Sequence, residues 1–211
     1  SDDFSHRLVV ITGATSGIGL ATVEKYASHK ADLLFVNRNE QKSKNLCEAL
    51  KNKYNANCGY ILADFAKLSD IHSAAESLSN LDRPIDVLIH NAGIFNTARV
   101  LTADHLESVF QTNYLSTFII NYLLREKFTS QRSSRILFVN SEAYRFAAFG
   151  LNLDDLNWEK HRYSGIKSYG AAKLAQLLSM LKFSDDFKKT GVTINAMHPG
   201  NVLTSSGQNN N

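Results

Sequence analysis

The chain has 211 residues, 44% of them hydrophobic, enough for one domain with a full core and too short for two ordinary ones. A net charge of +3, with Lys and Arg scattered among acids rather than gathered in a stripe, argues against nucleic acid or anionic lipid and points to a small-molecule partner. Cys47 and Cys58 have no metal-ligand spacing, and the longest apolar run, TFIINYLL, is far below the roughly 20 residues of a spanning helix; neither metal nor membrane segment is expected, and a reducing cytoplasm is.

In chain order, RLVVIT, ADLLFVN, CGYILAD, IDVLIHN, SRILFVN and VTINAMH read as strands, separated by segments of helical period. The strands are apolar on both faces, as when helices cover both sides of a parallel sheet. The β-α-β alternation implies an α/β, Rossmann-type doubly wound sheet of about six strands in the order 3-2-1-4-5-6. Residues 1–204 are expected to form the single domain, and 205–211, SSGQNNN, a frayed tail.

TGATSGIG follows the first strand and opens a helical segment, the context in which a glycine loop binds phosphate. Gly13 permits the sharp turn, Gly17 lets the backbone approach a pyrophosphate, and Gly19 allows close helix-strand packing, with Thr15, Ser16 and Ile18 completing the contact. Ile18-Gly19-Leu20 lacks the Gly-Lys-Ser/Thr ending of a Walker A loop. About 20 positions on, where the residue gripping the adenosine ribose belongs, stand Asn37 and Arg38. A neutral Asn beside an Arg removes the repulsion an acid would exert on a 2'-phosphate and adds a charged donor, so NADP(H) is favoured over NAD(H).

YSGIKSYGAAK carries Tyr-x-x-x-Lys twice, as Tyr163/Lys167 and Tyr169/Lys173. From Ser168, whose hydroxyl suits an N-cap, the sequence is helical: Tyr169, Lys173 and Gln176 fall along one side and Leu174, Leu177, Leu178 and Leu181 form an apolar stripe. Gly165 and the charged run EKHR disfavour a regular turn for the first pair, which leaves Tyr163 in a loop.

Together these motifs resemble the short-chain dehydrogenases/reductases through nearly the whole chain. The resemblance implies that Asp64 and Phe65 hold adenine, that Asn91, Ala92 and Gly93 form the loop after the fourth strand, and that Asn113, Ser141, Tyr169 and Lys173 are catalytic. It also implies that Pro199, Gly200, Val202 and Thr204, in HPGNVLT, meet the nicotinamide. His90 and Asn140 depart mildly from the family pattern. The long segment between Ser141 and Tyr169 resembles the branch containing retinol dehydrogenases, protochlorophyllide reductases and the oxidoreductase module found after WW domains.

The implied activity is hydride transfer between nicotinamide and a carbonyl/alcohol substrate, in this branch a lipophilic one. Tyr169 would donate the proton, its phenolate stabilised by the Lys173 ammonium; Lys173 would hold the nicotinamide ribose, Ser141 the substrate oxygen, and Asn113 a water leading to solvent. A non-catalytic dinucleotide-binding sensor or scaffold is the alternative. Surplus apolar residues on HLESVFQTNYLSTFIINYLLREKF and on the Ser168 helix predict a homodimer or tetramer. Family members continue beyond the Pro-Gly loop with a lid, strand and helix, so VTINAMH is expected to be an apolar edge and turnover by this chain to be poor.

Overall fold

The computed structural model describes residues 3–147 and 150–200. Six parallel strands, β1 (Leu8–Thr12), β2 (Asp32–Asn37), β3 (Cys58–Leu62), β4 (Val87–His90), β5 (Ser134–Val139) and β6 (Val192–Met197), form one sheet in the order β3-β2-β1-β4-β5-β6. Chain order reverses between β1 and β4. The crevice at the carboxyl ends of these two strands is where a doubly wound sheet accommodates a ligand.

Successive β1 residues serve opposite faces. Val10 joins Leu88, Ile136 and Phe138 in a core closed by α3 (Leu68–Ser79), α5 (Ser116–Leu123) and α7 (Gly165–Asp186). Val9 and Ile11 join Leu33 and Phe35 in a second core, closed by Val23 and Ala27 of α1 (Gly17–Ser28) and by Leu46 and Leu50 of α2 (Glu40–Tyr54). This two-sided burial makes the central strands continuous apolar runs. The edges differ from the expectation: β3 has no fully buried residue, and β6 exposes Thr193, Asn195 and Met197 between buried or half-buried neighbours. The β6 edge is therefore largely polar.

The long segment before β5 is not one regular helix. It runs as α4 (Ser108–Phe110), a π-helical turn (Gln111–Leu115), α5, and α6 (Arg125–Ser130). In α7 the helix begins earlier than the sequence suggests: Ser164 is the N-cap, without a side-chain capping bond, and Ser168 lies inside the helix. Gly165 is tolerated, indeed required, because a Cβ there would collide with the Asn96 carbonyl. The leucine stripe of α7 is also not its buried face. Ala172, Lys173, Ala175, Gln176, Ser179 and Phe183 are buried, while Leu178 and Leu181 are exposed.

Candidate active site

The glycine loop is fixed to the neighbouring strand end by hydrogen bonds across the crevice. Thr12 Oγ1 accepts the N–H groups of Asn91 at 3.1 Å and Ala92 at 3.0 Å, while Asn91 Nδ2 donates to the carbonyls of Thr12 at 3.1 Å and Gly13 at 2.8 Å. Gly13 has φ +70°, and a Cβ on it would come within 2.9 Å of Ala92 Cα. A Cβ on Gly19 would collide with the Gly13 carbonyl and lie 2.6 Å from Asn91 Nδ2. Gly13 and Gly19 are thus the positions where bulk would separate loop from strand.

Past the turn, Ser16 is the N-cap of α1 but makes no side-chain capping bond, and the first turn has no acid. Ser16 is exposed, and Thr15, Gly17 and Ile18 are half-buried. An uncapped helix start facing the crevice fits a dinucleotide pyrophosphate, whose oxygens would satisfy its free N–H groups.

Asn37 has a different place from the one expected. Its side chain is buried: Oδ1 accepts the Ala14 N–H at 2.9 Å and Nδ2 donates to Ser43 Oγ at 3.1 Å. Both ends of the amide are committed to tethering the glycine loop to β2 and α2, so Asn37 does not present itself to a ribose. Arg38, the next residue, is exposed at the strand end. Asp64 is half-buried after β3, where its Oδ1 accepts the Ala66 N–H at 3.0 Å, and the buried Phe65 uses its carbonyl to accept from Gln111 Nε2 at 3.2 Å.

The four residues implied as catalytic lie on three elements that converge at the crevice. Asn113, in the π-helical turn, is fully buried; its amide binds the backbone of Ile94, just beyond Gly93, at both ends, and its carbonyl accepts from Gln176 Nε2 at 3.3 Å. Ser141 follows β5 and enters the 3-10 turn Glu142–Ala147. Gly170 lets α7 pack on that turn, since a Cβ on it would come within 2.5 Å of the Ala143 carbonyl. This packing puts Tyr169, the residue before Gly170, beside the turn that Ser141 opens.

Lys173 is nearly buried; its Nζ donates to the Val139 carbonyl at 2.8 Å and lies 5.5 Å from the Tyr169 ring centroid. Burial brings its ammonium down to about 8. The same burial pushes the Tyr169 phenol above its ordinary value, opposed only by the bond with Ser141. The Lys173 cation sits over the Tyr169 ring and bonds the main chain, whereas the expected lowering of the phenol needs the ammonium together with the positive nicotinamide. Tyr163 is a different case: burial first, with Glu107 adding to it, pushes its phenol up to about 12.

Pro199 and Gly200 follow β6, with the Gly200 N–H donating to His198 Nδ1 at 3.3 Å. Val202 and Thr204 lie outside the described residues. Three supporting residues escaped the sequence reading. Asn140 donates to the Lys173 carbonyl at 3.1 Å and Gln176 Oε1 at 2.9 Å and accepts from Ser141 N–H at 2.8 Å, while Thr12 and Glu107 bind partners far away in the chain. Only Asn140 left a signal, as a departure from the family pattern. Among the described residues no helix is long and apolar enough to cross a membrane, and no group of three or more His, Cys, Asp or Glu could hold a metal ion.

The model of the short chain dehydrogenase family matches residues 7–152. The WW domain-containing oxidoreductase of Gallus gallus is 31% identical over 210 residues, 97% of this chain and 51% of the relative. Retinol dehydrogenase 13 of Homo sapiens is 30% identical over 205 residues, 96% of this chain and 61% of the relative. The chain thus spans about half to three fifths of the length of these curated relatives. Among solved structures, a Beutenbergia cavernae protein with bound NADP at low occupancy superposes with a TM-score of 0.79 at 25% identity, covering 97% of this chain and 76% of that one.

Proposed function

The chain belongs to the short-chain dehydrogenase family, and on that premise we propose that it is an NADP(H)-dependent oxidoreductase interconverting a carbonyl and an alcohol, with Tyr169 as general acid and base. The observation that carries this reading is the setting of Tyr169: a half-buried phenol on the rim of the crevice, on the helix that packs against the turn opened by Ser141, and under the Lys173 ammonium. When bound, the nicotinamide supplies or accepts the hydride. Tyr169 gives its proton to the substrate oxygen as charge develops there, and Ser141 orients that oxygen. Lys173 holds positive charge beside the phenol as it ionises.

Arg38 supports NADP(H) over NAD(H), since it is exposed past β2 between the neutral Asn37 and Asn39 and can pair with a 2'-phosphate. Apolar substrate bulk has support near Tyr169: Phe95, 48% exposed, packs edge-on against its ring, Ile166 is 41% exposed in the preceding turn of α7, and Phe146, 59% exposed, abuts Gly170. An exposed apolar rim of this kind suits a lipophilic carbonyl compound. Residues 1–204 would act as one dinucleotide-binding domain, self-associating through α5 and α7, and the free thiols of Cys47 and Cys58 fit a reducing compartment such as the cytoplasm.

The test is a screen of aldehydes, ketones and alcohols followed by NADPH absorbance. Tyr169→Phe should reduce turnover by about 10²–10⁴-fold with NADPH affinity retained, whereas Tyr163→Phe should remain active. Wild-type turnover in Tyr169→Phe would sink the assignment. NADPH binding without turnover of any compound would favour the sensor or scaffold.

A further inference from the structure

Glu107 is fully buried, and no Lys, Arg or His lies within ion-pair distance of it among the described residues. A carboxyl group in that position is costly unless donors surround it. Four do. The N–H groups of Val109 at 3.1 Å and Phe110 at 2.8 Å donate to Oε1 and Oε2, capping the start of α4. The other two are hydroxyls from distant sequence: Tyr163 donates to Oε1 at 3.2 Å and Ser168 to Oε2 at 2.9 Å.

A helix cap alone needs no such partners; a short Asp or Ser would serve at the surface. The two extra bonds reach the beginning of α7, and Ser168 immediately precedes Tyr169. On the other side, α4 leads directly into the turn that carries Asn113. One side chain therefore joins the segment that leads to Asn113 with the helix that carries Tyr169 and Lys173. Further along α7, Gln176 Nε2 donates to the Asn113 carbonyl at 3.3 Å, a second tie between the same two segments. Two ties, one on each side of Tyr169 and Lys173, fix both the rotation of α7 and its advance toward the crevice. The bonds of Lys173 and Gln176 lie after Tyr169 in the helix, and the Glu107–Ser168 bond is a side-chain tie immediately before it.

From this arrangement we infer that Glu107 is a positioning residue for Tyr169, acting through Ser168 to hold the phenol where it meets substrate. The inference rests on the reading of Tyr169 as the proton donor. Displacement of a reacting group by about 1 Å costs up to about 10²-fold in rate.

Ser168→Ala removes the α7 side of the link while leaving the α4 cap and the Tyr163 bond. It should lower kcat about tenfold with KM and NADPH Kd unchanged, and Ser168→Thr, which keeps a hydroxyl, should restore most of the loss. Glu107→Gln should act likewise but also weaken the cap; if it fails to fold, Ser168→Ala decides alone. A second readout needs no turnover. In protein labelled with 3-fluorotyrosine, the ¹⁹F line of Tyr169, identified by its loss in Tyr169→Phe, should shift or broaden in Ser168→Ala and return in Ser168→Thr. An unmoved line, or a moved line with kcat unchanged in an active protein, overturns the inference. If the wild type turns nothing over, the reading of function fails, and the ¹⁹F line still decides whether Glu107 and Ser168 position Tyr169.

Discussion

Asn113 holds the main chain of Ile94 with both ends of its amide: Oδ1 accepts the Ile94 N–H at 2.8 Å and Nδ2 donates to the Ile94 carbonyl at 2.8 Å. A neighbouring strand would pair a residue in the same way. Here one side chain does so after β4 has ended, and the 91–94 loop stays aligned with the crevice.

Asn113→Ala should leave two backbone groups without partners, at about 1–3 kcal/mol each. Urea denaturation should show a loss of about 2–5 kcal/mol, and NADPH titration a weaker complex, because the loop it releases flanks the glycine turn. Unchanged stability would mean that Ile94 finds other partners and that the clamp is incidental.

Arg38 and Asn37 should separate cleanly by cofactor. Arg38→Ala should weaken NADPH about tenfold and leave NADH nearly unchanged, since only the 2'-phosphate loses a partner. Asn37→Ala should weaken both cofactors alike and lower Tm, because it frees Ala14 and the glycine loop. Fluorescence titration with both cofactors distinguishes the two, and equal losses for NADPH and NADH in Arg38→Ala would remove the basis for NADP(H) preference.

His90 should make the protein sensitive to acid. Its ring is fully buried, Nε2 meets Asn121 Oδ1 at 2.8 Å, and burial takes it from 6.5 to about 4. The folded state keeps His90 neutral while the unfolded chain takes up a proton below 6.5. Its contribution is therefore whole above pH 6.5 and is lost as pH falls toward and through 4, on the order of 3 kcal/mol in all. Melting curves between pH 7 and 4 should fall less steeply for His90→Asn; superimposable acid limbs would show that other groups govern the decline.

Self-association should depend on the outward leucines of α7. Leu181 is 60% exposed, Leu178 49%, and Tyr122 on α5 53%, an apolar face that two copies could bury about a two-fold axis. Leu181→Asp should convert a dimer to a monomer in light scattering at micromolar concentration. A wild type that is already monomeric at that concentration would end the proposal.

The strands were legible in the sequence because a parallel sheet buried on both faces needs unbroken apolar runs, and β1 is buried at all five positions. The glycine loop was legible because Gly13 and Gly19 answer steric demands that few other residues meet. Asn37 was placed correctly along the chain but not in space: distance from a motif gives the end of β2, whereas the direction of the amide is decided by Ala14 and Ser43. The start of α7 was misplaced because Gly165, a weak helix former in isolation, is selected there by the close approach of Asn96. Glu107 was illegible, since its hydroxyl partners lie 56 and 61 residues away.

The loops that frame the crevice are held by Asn37, Asn91, Asn113 and Asn140, each spending its amide on backbone or neutral side-chain partners. Amides neither titrate nor attract counterions, so these attachments are indifferent to proton activity and to ionic strength wherever the protein is folded. These amide-held loops are therefore decoupled from the proton chemistry they surround, whereas the tie at Ser168 is made by the Glu107 carboxyl group. Lys173 at about 8 and the phenol of Tyr169 are left as the ionising groups at the centre of the crevice, and a pH–rate profile taken above the acid limb of stability would read those groups rather than a change in the shape of the cleft.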